Sequence, residues 1–325
     1  MTVFLHIGSH KTGTTAIQKF AHAPRRKLRN RGLWYPGYSE IGRPSRYGHH
    51  HFSHAVANAP RGGFRPEDAL RFAEAIRQRR RDGEDVLISA EPIYRHVLGE
   101  GDYWQQRRAY VEHLRDVLEL DDVVVVAVLR RQDGFARSLY QEKVRAKRYT
   151  APFRQFLVEE RQDFEYHRQL EPFADVFGRV DVKVYEDLRD KGLIDAFFQQ
   201  LGVAVADLRR KSVANPSLPL ELVEYKRLLN ATRVDMDHLD AAVGKLWKRA
   251  RAGGLIDDTD WVPRHELEAF CASFDVGNEQ VRAQFAGDRP APLFPSLSAA
   301  PIKDRSEYAG MSARRFAQLT AEIFL

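Results

Sequence analysis

Short, unbroken apolar runs alternate with longer stretches in which apolar residues recur every three to four positions. The runs are Thr2 to Ile7 (TVFLHI), Asp85 to Ala90 (DVLISA), Val123 to Leu129 (VVVVAVL) and Val180 to Tyr185 (VDVKVY). Their length and β-branched content predict buried strands. Helical spacing predicts helices over 14–31 (Ile17, Phe20 and Leu28 on one face), 67–82, 103–118 and 132–147. Residues 32–66, rich in Gly, Pro, His and Tyr, predict an irregular surface loop. Strands that are apolar throughout, separated by helices, imply βαβ units and a three-layer α/β fold, a parallel sheet flanked by helices. From about 216 the β signal ends, and LPLELVEYKRLL, MDHLDAAVGKLWKRAR and RHELEAFCASF carry helical spacing. The expected organisation is an α/β core over 1–215 and a mainly helical extension over 216–325 packed on it.

Composition narrows the function classes. With 325 residues, 43% hydrophobic and 30% charged, and a mean hydropathy of −0.49, the chain can bury a large core. Its longest apolar run, Val123 to Leu129, is far short of the roughly 20 residues of a membrane span. The opening MTVFLHIGSHKTG has no secretory pattern, so a cytoplasmic protein is expected. One cysteine, Cys271, excludes an internal disulfide framework and a cysteine-rich metal site. Lys plus Arg number 51 against 45 acids, and 39 of the 51 are Arg. Guanidinium is the better group for bidentate phosphate or sulfate contacts. Zinc-finger spacing and RNP-type aromatic motifs are absent, which favours an anionic small molecule over nucleic acid. The clusters Arg25-Arg26-Lys27 and Arg79-Arg80-Arg81 lie in helix-like stretches and read as solvated faces.

The first predicted strand runs into Gly8-Ser9-His10-Lys11-Thr12-Gly13-Thr14-Thr15 and then directly into a helix. A Gly-containing turn between strand and helix aims backbone N–H groups and the positive helix end at an anion. A plain polar turn capped by Thr14 or Thr15 is the alternative. The loop differs from a Walker loop, because Thr14 stands where the Walker lysine would be and Lys11 lies inside the loop. The strand VVVVAVL ends in Arg130-Arg131 rather than a Mg²⁺-holding Asp, and Asp121 and Asp122 are at its other end. That pattern argues against ATP or GTP hydrolysis.

HIGSHKTGTT resembles the 5′-phosphosulfate loop of the sulfotransferases that use 3′-phosphoadenosine 5′-phosphosulfate (PAPS), most closely their bacterial branch. Their second signature is an Arg at a strand end with a Ser eight positions later, and Arg130 and Ser138 resemble that pair. Tyr185-Glu186-Asp187-Leu188 and Asn215-Pro216-Ser217 look like further landmarks, so the resemblance spans about residues 1–217. It implies a P-loop NTPase-like core, PAPS as donor with PAP as product, and no metal. It also implies that Lys11 meets the leaving phosphate and that residues Gly8, Ser9, His10, Lys11, Thr12, Gly13, Thr14 and Thr15 cradle the donor. His10 would touch the sulfate, and Arg130 and Ser138 would hold the 3′-phosphate. For the base, Glu91 at the end of VLISA competes with a histidine of Tyr47 to His54; His49, His50 and His51 are expected to line the acceptor pocket. Many members follow the Thr-Thr pair with an adenine-stacking aromatic, but Ala16 stands here. Independently of the resemblance, ligands of open α/β sheets bind beyond the carboxyl ends of the strands. The loop, Glu91 and Arg130 each follow such an end and should share one rim. The acceptor expected is a hydroxyl on a carbohydrate or small metabolite. A P-loop kinase of a small acceptor and a non-catalytic nucleotide or nucleic-acid binder are the competing readings.

Overall fold

The computed structural model describes residues 2–9, 11–208, 218–252, 260–295 and 310–324. His10, Arg209 to Lys211 and the Asn215-Pro216-Ser217 landmark lie outside the described residues.

In chain order the elements begin with β1 (Val3–Gly8), α1 (Thr14–His22), α2 (Arg25–Arg29), β2 (Leu33–Trp34), α3 (His50–Val56), α4 (Pro66–Arg79) and β3 (Asp85–Ser89). Next come α5 (Tyr103–Leu118), β4 (Val123–Leu129), α6 (Gln132–Ala146), α7 (Phe153–Glu159), α8 (Tyr166–Phe177) and β5 (Val180–Val184). Helices α9 (Tyr185–Asp190), α10 (Leu193–Gln200), α11 (Leu220–Asn230), α12 (Met236–Ala252), α13 (Arg264–Ala272), α14 (Asp275–Phe285) and α15 (Ala313–Phe324) follow.

The five strands form one all-parallel sheet in the order β2-β3-β1-β4-β5, flanked by helices. All seven residues of β4 are buried, which is why its sequence is apolar without alternation. The register sets His6 of β1 beside Ser89 of β3 and Val126 of β4, and Gly8 opposite Val128. Because β1 connects toward β2 and β3 while β4 connects toward β5, the chain diverges between the carboxyl ends of β1 and β4. That divergence opens the crevice where ligands of such sheets sit.

Two expectations from the sequence are corrected. The helix expected over 14–31 is two helices: Pro24 cannot donate a backbone hydrogen bond, and the chain restarts at Arg25. The loop expected over 32–66 contains the edge strand β2 and the helix α3, whose inward residues Phe52, Ser53, Ala55 and Val56 are buried.

The chain divides by packing into two compact units, and the division does not follow sequence order. The first takes the described residues of 1–131, 165–213 and 276–294 and holds the whole sheet. The second takes those of 132–164, 214–275 and 295–325 and is helical. Its core is built on Tyr140 of α6, whose ring lies 5.1 Å from Phe153, 5.3 Å from Phe156 and 4.8 Å from Trp261, centroid to centroid.

Candidate functional site

The turn after β1 is held by its own hydrogen bonds. Ser9 N donates to Val128 O (3.1 Å), continuing the β1–β4 ladder past the strand end, and Ser9 Oγ accepts from Arg130 N (3.2 Å). Thr12 Oγ1 donates across the turn to Ser9 O (2.8 Å) and lies 3.2 Å from Thr14 Oγ1. Gly8 is required by close approach, since a Cβ there would stand 2.9 Å from Thr12 Oγ1 and 3.1 Å from Val128 O. Gly13 is required twice over. Its φ is +76°, and a Cβ would stand 2.2 Å from Leu193 Cδ2 on α10. Lys11 also adopts a left-handed conformation (φ 63°) and is exposed at the turn.

The first intrahelical bonds of α1 run from Ala16 N (2.9 Å) and Ile17 N (3.1 Å) to Gly13 O. The amides of Thr14 and Thr15 therefore precede the helical ladder and sit at its positive end. Ser9, Thr12 and Thr14 are buried, whereas Thr15 is exposed.

Arg130 follows β4 directly. Its guanidinium carbon lies 5.4 Å from the centre of the Tyr185 ring, and its carbonyl accepts from Tyr166 Oη. Next to it, Arg131 N donates to Glu186 Oε1 (3.3 Å). Burial pushes the Glu186 carboxyl up, opposed by its backbone bonds and by the charges of Arg130 and Arg131. Tyr185 and Glu186 thus meet the arginine pair from the end of β5. Ser138 lies on α6 in the second unit and is half-buried.

Glu91 opens a short 3₁₀ turn, Glu91–Tyr94, straight after β3, where Ala90 N bonds to His6 O (3.1 Å). The loop, Glu91 and Arg130 accordingly follow the carboxyl ends of three adjacent strands, β3, β1 and β4.

Beneath the turn lies a buried polar network that periodicity did not reveal. His6 Nδ1 is 2.8 Å from Ser89 Oγ, and Gln18 Nε2 donates toward Ser89 Oγ (3.1 Å), Ser89 O (3.2 Å) and His50 Nε2 (3.3 Å). With Gln18 donating to Ser89 Oγ, the hydroxyl proton is free to go to His6 Nδ1, which leaves the His6 proton on Nε2. Burial pushes His6 down to about 3, although Glu91 acts in the opposite sense, so His6 is neutral. The only sequence signal was polarity in the wrong place: a histidine inside an apolar strand and a glutamine on the inward face of α1.

The three histidines expected to line the acceptor pocket have different surroundings. His49 is buried; its Nδ1 accepts from Ser89 N (2.9 Å) and its Nε2 donates to Pro36 O (2.9 Å). Both nitrogens are thus used by the main chain, and burial holds the ring down to about 4. His50 faces Gln18, while His51 stacks on Phe64 at 6.2 Å and packs against Gly62. Among the described residues no group of three or more His, Cys, Asp or Glu could hold a metal ion, and no helix is long and apolar enough to cross a membrane.

No protein-family model matches the chain, and no curated protein matches it. Among solved structures it is similar to the crystal structure of a sulfotransferase from Alicyclobacillus acidocaldarius, at 18% identity and a TM-score of 0.40, over 77% of this chain and 99% of that one.

Proposed function

We propose that this protein is a PAPS-dependent sulfotransferase acting on a hydroxyl acceptor. The observation that carries the reading is the crevice between β1 and β4. There a self-bonded glycine turn, the positive end of α1 and Arg130 meet without an acidic residue directly after β4. The cradle suits a tetrahedral anion: amides at Thr14 and Thr15 face forward, Lys11 is exposed, and Gly8 and Gly13 leave no side chain in the way.

In this reading Gly8 to Thr15, His10 included, hold the 5′ end of PAPS, and Arg130 and Ser138 take the 3′-phosphate. When bound, PAPS supplies the activated sulfuryl group. The chain must orient the acceptor, neutralise charge growing on the leaving phosphate and accept the hydroxyl proton. Lys11 is assigned the leaving phosphate, His10 the sulfate and Glu91 the proton. His50 and His51 are assigned to the acceptor side, while His49, with both nitrogens occupied, acts by holding Pro36 and Ser89 in place.

Calorimetric titration with PAP, beside ATP–Mg²⁺, tests the proposal on the native protein and on Arg130→Ala. Tight PAP binding that Arg130→Ala weakens by tenfold or more is expected. A preference for ATP–Mg²⁺ would return the site to a small-acceptor kinase.

A further inference from the structure

A second cluster lies beside the first, formed by α3, the chain after it, the segment after Glu91, and α5. The rings of His54 and His96 meet edge to face, with centroids 4.9 Å apart, and the His96 ring lies 5.4 Å from that of Tyr110. His54 Nδ1 and His96 Nε2 are buried with no hydrogen-bond partner. The backbone of His96 is pinned by Arg107 Nη1, which donates to its carbonyl (2.7 Å), while Arg107 Nε donates to Gln169 Oε1 (2.9 Å).

The charges acting on these two rings are positive from every element around them. On His54 they are His50 and His51 of α3, Arg61 of the following loop and Arg95 after β3. On His96 they are His54, Arg95, Arg61 and Arg107 of α5. Burial, reinforced by those charges, holds His54 down to about 4 and His96 to about 3. Buried imidazole nitrogens without partners are costly, and so is a concentration of like charge. Both costs disappear if an anion enters the cluster: the nitrogens gain an acceptor and the arginines a counter-charge.

We propose that His54 and His96, with Arg61 and Arg95, bind an anionic group of the acceptor: a carboxylate, sulfate or phosphate carried on the same molecule as the reacting hydroxyl. The position fits, because Arg95 and His96 follow the Glu91 turn and His50 ties α3 to Gln18 of α1. The word acceptor rests on the sulfotransferase reading; the anion site does not. A bound anion favours the imidazolium forms, so binding draws in protons and tightens as pH falls, by up to tenfold per pH unit for each proton taken up.

The test titrates glucuronate, glucose 6-phosphate and glucose into the full chain and follows the histidine ring signals by NMR at pH 6 and pH 8, with and without saturating PAP. The two anionic sugars should shift the His54 and His96 signals and bind more tightly at pH 6. Glucose should shift neither signal. Arg61→Ala, an exposed position, should weaken the anionic sugars about tenfold and leave PAP binding unchanged. Equal responses to glucose and glucuronate, or unmoved His54 and His96 signals, would overturn the proposal. So would displacement of glucuronate by PAP, since the cluster would then belong to the donor. If PAP does not bind while glucuronate still moves both rings, the anion site stands and the sulfotransferase reading falls.

Discussion

Replacing Gly13 by alanine tests the geometry of the turn without reference to its ligand. Two separate penalties follow from the structure. Holding a non-glycine residue at φ +76° costs roughly 1–2 kcal/mol. Forcing a methyl to within 2.2 Å of Leu193 Cδ2 requires α10 or the Leu193 side chain to move, and overpacking of this kind costs about 1–3 kcal/mol. Gly13→Ala should therefore destabilise by about 2–5 kcal/mol, read as a lower urea midpoint at an unchanged slope. Leu193→Ala removes the atom that clashes but leaves the dihedral penalty. The double variant should accordingly be more stable than the sum of the single changes, by about 1–3 kcal/mol. A Gly13→Ala protein within about 0.5 kcal/mol of the native one, or strictly additive variants, would refute the account of why glycine stands here.

Three further outcomes are expected. Glu91→Gln should keep PAP affinity and lose about 10²-fold or more in rate; unchanged turnover would move the base to the histidines of 49–54. Below pH 6.5 the unfolded chain protonates His6 and His49, while the folded chain, holding them at about 3 and about 4, does not. Each therefore contributes stability that is present above 6.5 and lost at about 1.4 kcal/mol per pH unit as pH falls, measurable as a falling urea midpoint between pH 6.5 and 4.5. In the second unit Arg137 bridges Asp133 (3.1 Å) and Asp260. Arg137→Met leaves two largely buried carboxylates uncompensated and should cost about 3 kcal/mol, seen as faster hydrogen exchange along α6.

The sheet was legible because burial on both faces leaves a mark in the sequence itself: VVVVAVL has no polar position, and β4 has no exposed one. The positions of the turn, Glu91 and Arg130 at strand ends were legible for the same reason. What escaped was short or long-range. β2 is only two residues long, too brief for any period to register. α3 was masked by histidines, whose polarity hides a helix face that packs through Phe52 and Val56. The network under the turn joins Gln18 to Ser89 and His6 to Ser89 across 71 and 83 residues, and no local pattern carries such a pairing. Pro24 was readable as a helix break, and the apolar spacing across it concealed the break.

The bonds of Ser9 have a thermodynamic consequence for whatever binds at the turn. Its amide is spent on Val128, its hydroxyl on the Arg130 amide and its carbonyl on Thr12, so the turn holds its shape through interactions that no ligand supplies. An incoming anion meets a formed cradle, and the entropy of ordering a loop is not subtracted from its affinity. The same stiffness limits tolerance: a cradle that cannot relax discriminates between ligands by fit and cannot accommodate a larger group by rearranging. Loosening it, as Ser9→Gly would, trades that discrimination for adaptability before any residue that touches the ligand has changed.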